Sequence, residues 1–147
     1  MIQVSRTRHF DAPASKIFAL LSDTNHLSLL LPRVRQIEVL ERNPTSARIA
    51  TYMAFGPLGD IRSEGDVHWQ TDREIIFKAT QPAIIEARWT LNPANNGTGV
   101  MSQVLLDLTP MLGPVAKFVP PNQVIDMVGP RLDATLDELG RLLAKAQ

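Results

Sequence analysis

From Val34 to Thr109 the chain alternates apolar and polar residues with a period of two, in runs separated by links of two to five residues. That period puts successive side chains on opposite faces of an extended strand. The runs fall at about 34–42, 46–55, 60–70, 73–80, 83–92 and 98–109. The links are Asn43-Pro44-Thr45, Gly56-Pro57-Leu58-Gly59, Thr71-Asp72-Arg73, Gln81-Pro82 and Pro93-Ala94-Asn95-Asn96-Gly97, all turn-forming. Links this short force an antiparallel meander, because a parallel pair needs a crossover of a dozen or more residues.

Eleven prolines punctuate the chain, and all but Pro130 mark the boundaries of these runs and of the segments around them. Average usage of about 5 % would give roughly seven. Proline lacks an N–H and fixes φ, so it belongs at element edges. Ile2 to Phe10 alternates and reads as a further strand. Pro13 suits the first turn of a helix reaching about Ser22, with Asp11 as a capping acid and Ile17, Phe18 and Leu21 on one side. Asp23 can cap a second short helix, Thr24 to Leu31, which Pro32 stops. After Pro110 the stretch from Met111 to Pro121 is apolar and irregular. A long helix then runs from about Asn122 to Ala146, with a stripe of Ile125, Val128, Leu132, Leu136, Leu139 and Leu143. Gly129-Pro130 is expected to kink it. No repeat, low-complexity tract or linker divides the chain, so residues 1–147 read as one domain.

Composition removes several classes of function. Lys and Arg total 15 and Asp and Glu total 15, a zero net charge that argues against a nucleic-acid partner. Cysteine is absent, which excludes disulfides, thiol catalysis, zinc–thiolate sites and iron–sulfur clusters. No window approaches 18 apolar residues, and the first ten lack the apolar core of a signal peptide, so a soluble cytoplasmic protein without a transmembrane segment is expected.

The sheet needs one face covered, and the C-terminal helix is the element long enough to cross it. Parity is clearest in three strands. Ile61, Ser63, Gly65, Val67 and Trp69 face inward, against Arg62, Glu64, Asp66 and His68. Ile85, Ala87, Trp89 and Leu91 oppose Glu86 and Arg88. Val100, Ser102, Val104, Leu106 and Leu108 form the third inward set, with Asp107 outward.

No catalytic motif emerges from these sets. His9, His26 and His68 have no ligand spacing to one another, and His68 and His26 read as solvated. His9 points toward the interior if Arg6 and Arg8 face solvent, so a proton carrier, if the chain is an enzyme, is His9 or an acid that parity does not place. The serines lack a nucleophile-elbow context. Gly56–Gly59 and Asn96–Gly99 lie between antiparallel strands and read as hairpin turns rather than phosphate loops.

Three stretches carry a resemblance. They are Phe10-Asp-Ala-Pro-Ala-Ser-Lys-Ile-Phe-Ala-Leu-Leu-Ser-Asp23 followed by Leu31-Pro-Arg-Val34; Trp89-Thr-Leu-Asn-Pro93 followed by Gly97-Thr-Gly-Val100; and the leucine-striped C-terminal helix. With them the chain resembles the START/Bet v 1-like (SRPBCC) superfamily, near the bacterial polyketide cyclase/dehydrase-like proteins. The resemblance implies an α+β helix-grip fold: a seven-stranded curved antiparallel sheet around a long C-terminal helix, with two short helices between strands 1 and 2. It also implies a cavity between sheet and helix for a small apolar or amphipathic ligand such as a lipid, quinone, polyketide or aromatic compound.

Fold does not fix function, and the residues must. Inward parity and the implied cavity nominate Thr51, Ile61, Ser63, Val67, Trp69, Phe77, Ile85, Trp89, Ser102, Val104, Phe118, Val128 and Leu132 as ligand-lining, with the tryptophans equally readable as core. Three functions stay open: binding or transport of the ligand, a cyclase or dehydratase in the same cavity, and a lipid or quinone chaperone or partner-binding subunit. The last would dock through the apolar segment 111–119, which with the apolar segment 27–31 could form a lid, a transient membrane contact or a dimer surface. No cofactor or metal is expected, and the chain reads as a monomer or homodimer.

Overall fold

The computed structural model describes residues 2–23, 34–54, 60–80, 84–94, 96–107, 109–118 and 120–145. The strands are β1 (Ile2–Phe10), β2 (Val34–Arg42), β3 (Ser46–Ala54), β4 (Asp60–Gln70), β5 (Glu74–Ala79), β6 (Ile84–Ala94) and β7 (Gly97–Asp107). Helix α1 (Ala14–Ser22) follows β1; α2 (Thr109–Leu112), a 3-10 turn (Gly113–Phe118) and α3 (Pro121–Lys145) follow β7. The expected second helix over 24–31, with His26, lies outside the described residues. So do the turns at 56–59 and 81–82, and Leu108.

β2 to β7 pair as sequential antiparallel neighbours, and β1 returns to pair with β7, in the order β1-β7-β6-β5-β4-β3-β2. This is the helix-grip arrangement, a seven-stranded antiparallel sheet with a long C-terminal helix. The connecting chemistry follows the residues available. At the β4–β5 turn Asp72 takes φ 64°, and before β7 Asn96 takes φ 66°. Asp and Asn tolerate this left-handed region because their short polar side chains can bond locally. β2, at one sheet edge, carries register shifts between Val34 and Gln36 and between Val39 and Glu41. Such bulges twist an edge strand away from further pairing.

Two local expectations change. Asp11 does not cap α1; Pro13 is the N-cap residue, without a side-chain cap bond, and its carbonyl accepts from the N–H groups of Lys16 (3.1 Å) and Ile17 (3.3 Å). Proline has no side-chain acceptor to offer, and Asp11 instead lies 3.5 Å from His9 Nε2. The 111–121 segment is not irregular: α2 and the 3-10 turn occupy most of it. Asp107 anchors its start by accepting from the Thr109 N–H at 2.9 Å.

The core gathers at one end of the molecule. Ile17, Phe18 and Leu21 of α1 meet Trp89, Leu91 and Val100 of the sheet and Leu136, Leu139 and Leu143 of α3. Burying each of these large side chains stabilises the fold by about 1.5–3 kcal/mol. Thr98, fully buried, donates to the Ala12 carbonyl at 2.8 Å and ties the lead-in of α1 to β7. The C-terminal half of the expected helix stripe is therefore correct. Toward the N-terminal end Val124 is buried, whereas Ile125 and Val128 are half-buried. Pro130 lies inside α3 without ending it.

The outer face carries the charge. Arg48 stands opposite Asp66 in register and bonds it at 2.9 Å; Arg62 reaches Glu64 at 3.0 Å; Lys78, opposite Glu86, reaches it at 3.5 Å. The Arg48–Asp66 and Lys78–Glu86 pairs cross between strands and Arg62–Glu64 lies within one, so opposite charges on this face stand beside one another.

Candidate functional site

Register aligns the concave face into rows. One runs Arg8, Val100, Leu91; the next Arg6, Ser102, Trp89, Ile75, Trp69. A third runs Val4, Val104, Ala87, Phe77, Val67, and a fourth Leu106, Ile85, Ala79, Gly65. The first row and most of the second belong to the packed end: Trp89 is in the core cluster, with Trp69 and Ile75 packed against it. Beyond them Val67, Phe77, Ala87, Val104, Ile85 and Leu106 are only half-buried. The concave face thus passes from a packed core into a part-open apolar floor. Gly65 makes room within that floor: a Cβ there would stand 2.5 Å from Phe77 Cε2 and 2.6 Å from the Lys78 carbonyl.

β1 faces the opposite way from the expectation. Arg6 and Arg8 lie on the concave side, in register with Ser102 and Val100, and Ser5, Thr7 and His9 are exposed. His9 therefore does not point into the interior. The cause is α3, which runs over β1: Arg6 Nε bonds Asp133 at 3.4 Å, and Arg8 Nη1 bonds Asp137. Alternate strand residues stand about 6.6–6.8 Å apart and helix residues i and i+4 about 6 Å, so the two pairs match like rungs. Asp133 and Asp137, acids four apart beside the leucine stripe, were the sequence signal for this face. Arg6 Nη1 also donates to the Ser5 carbonyl at 2.8 Å, and Nη2 lies where a Cβ of residue 129 would be.

The other nominated residues divide. Thr51 and Ser63 are buried opposite one another, with Thr51 Oγ1 donating to the Ser63 carbonyl at 3.4 Å. Leu132 is buried and Val128 half-buried. The Ile61 side chain lies outside the described residues. Phe118 corrects its expectation: it is 82 % exposed, and Val115, one 3-10 turn earlier, is 59 % exposed. Residues i and i+3 eclipse in a 3-10 helix, so one outward side chain brings the other with it. Two clefts of about 370 and 790 Å³ lie toward the β4–β5 turn; Trp69 is the one nominated residue that lines either.

Charge perturbation falls away from the floor. Hydrogen bonds from Thr109 lower the Asp107 carboxyl, Arg141 lowers Glu138, and Tyr52 with Glu64 raises Arg62. Among the described residues no three His, Asp or Glu side chains group to hold a metal, and no helix is long and apolar enough to cross a membrane. One polar group within the concave face stands out. Ser102 is 3 % exposed, yet its hydroxyl has no hydrogen-bond partner among the described residues. Leaving a buried hydroxyl unsatisfied costs about 1–3 kcal/mol.

A family model for polyketide cyclase / dehydrase and lipid transport proteins matches residues 1–144, nearly the full chain. The chain belongs to that family. No curated protein matches it. Among solved structures, this family member is similar to a Thermus thermophilus protein at 20 % identity and TM-score 0.80, covering 99 % of both chains. It is similar to a START superfamily protein from Mycobacterium smegmatis at 17 % identity and TM-score 0.77, covering 100 % of each. The Zhui aromatase/cyclase from a Streptomyces species matches at 16 % identity and TM-score 0.66, over 96 % of this chain and 94 % of that one. At these identities the structural matches establish the shared fold.

Proposed function

We propose that this polyketide cyclase/dehydrase and lipid transport family protein binds a small apolar or amphipathic molecule on its concave face, between the floor of β4–β7 and α3. The half-buried floor of Val67, Phe77, Ala87, Ile85 and Val104 carries this reading. A contiguous apolar wall left partly open beside a fully packed core is what a pocket for an apolar guest requires. Transfer of apolar surface at about 25 cal/mol per Å² then supplies affinity with few directional bonds. Among the described residues of β1 and β4–β7, the ionisable side chains at concave-facing positions are Arg6 and Arg8, both paired to α3. That favours binding or carriage over acid–base catalysis, since a proton carrier needs a free ionisable group within reach of its substrate.

Native mass spectrometry of gently purified protein tests this. The expected result is a bound small molecule, or uptake of the fluorescent probe 1-anilinonaphthalene-8-sulfonate, that Phe77→Asp abolishes. A wild-type protein that is empty and takes up no probe overturns the proposal.

A further inference from the structure

Ser102 lies at the junction of the packed core and the apolar floor, between Val100, which is buried, and Val104, which is half-buried. Directly opposite it in register is Trp89, 8 % exposed, whose indole N–H likewise has no hydrogen-bond partner among the described residues. Side chains opposite one another on adjacent antiparallel strands have Cβ atoms about 4.5–5.5 Å apart. Two buried donors without partners among the described residues therefore stand side by side on the concave face, where the packed core meets the floor. Buried polar groups in folded proteins are nearly always satisfied, by protein, water or ligand.

On the other side of Ser102 stands Arg6, but its charge is answered by Asp133 at 3.4 Å and its Nη1 by the Ser5 carbonyl. The row thus presents neutral donors without a net positive charge to offer. A carboxylate brought there would be desolvated without a counter-ion, which is strongly unfavourable, whereas a neutral oxygen needs only the hydrogen bonds.

We infer that Ser102 Oγ and Trp89 Nε1 form a polar anchor for a neutral acceptor oxygen, a ketone or similar carbonyl, at the inner end of the bound molecule. The ligand class is then an apolar body along Val104, Phe77 and Val67 with an uncharged carbonyl at its buried end. This rests on the proposed binding function and adds the orientation and the chemistry of the head group.

Calorimetric titration with three matched probes, naphthalene, 2-acetylnaphthalene and 2-naphthoate, tests it. Wild type should bind the ketone about tenfold more tightly than naphthalene, as one or two net hydrogen bonds supply, and more tightly than the carboxylate. Ser102→Ala should erase the ketone advantage while naphthalene binding stays the same, and Trp89→Phe, which keeps the ring and removes the donor, should reduce it. Equal binding of ketone and naphthalene to wild type overturns the anchor but leaves the apolar site standing. So does a ketone preference that survives Ser102→Ala, which would mean the hydroxyl holds only water. Preference for 2-naphthoate assigns recognition to the Arg6 charge and overturns the neutral-acceptor assignment. Failure of all three probes to bind overturns the anchor and the binding function together.

Discussion

The guanidinium of Arg6 lies against Gly129 of α3, with Cζ 3.2 Å from the position a Cβ would take. Glycine at that point lets a strand arginine reach across the helix backbone to Asp133, and it stands immediately before the helix proline Pro130. A glycine in a helix interior is destabilising by about 1 kcal/mol relative to alanine, so its presence here is explained by the neighbour it admits.

Gly129→Ala should therefore gain less stability than helix propensity predicts, because the added methyl displaces Arg6 from its partner. In an Arg6→Ala background the same change should recover the full gain of about 1 kcal/mol. Urea unfolding of the four proteins measures the coupling. Additive effects would show that the contact is without energetic consequence.

Gly65→Ala meets a less forgiving neighbour. Its Cβ would approach the Lys78 carbonyl to 2.6 Å, and backbone in a central strand cannot swing aside as an arginine can. Destabilisation of about 1–3 kcal/mol is expected, read from the denaturation midpoint.

Leu136 and Phe118 test the division between core and surface. Leu136 has no exposed area, and Leu136→Ala should cost about 2–5 kcal/mol through lost transfer energy and the cavity left behind. Phe118→Ser should change stability by less than about 0.5 kcal/mol, despite removing the larger side chain. Thermal unfolding of both variants decides it.

Asp107 provides a pH signature. Its folded-state pKa is lowered, chiefly by the Thr109 side-chain hydrogen bond and then by the Thr109 backbone N–H. A depressed carboxylate contributes stability that is fully present above its unfolded pKa and is lost as pH falls through the folded value. The stability difference between wild type and Asp107→Ala should thus be constant near neutrality and shrink on acidification below the ordinary carboxylate range. A difference that grows as pH falls would assign the effect to another group. Glu138, lowered by Arg141, should show the same direction when changed to Gln.

What the sequence determined by itself was whatever repeats locally. Strand parity in β4, β6 and β7, the charged outer face, the succession of seven strands before a long C-terminal helix and the stripe from Leu132 to Leu143 all follow from periods of two and of about 3.6, which any short window displays. The direction of β1 was beyond such reading. Arg6 and Arg8 have long apolar stems with charged ends, so they suit either face, and only Asp133 and Asp137, more than a hundred residues away, select the concave one. Tertiary structure likewise decided that Trp89 belongs to the packed core and Phe77 to the open floor, although both alternate inward. The difference lies in which end of the sheet α1 and the C-terminal half of α3 cover, and coverage is a relation between distant elements rather than a property of any one of them.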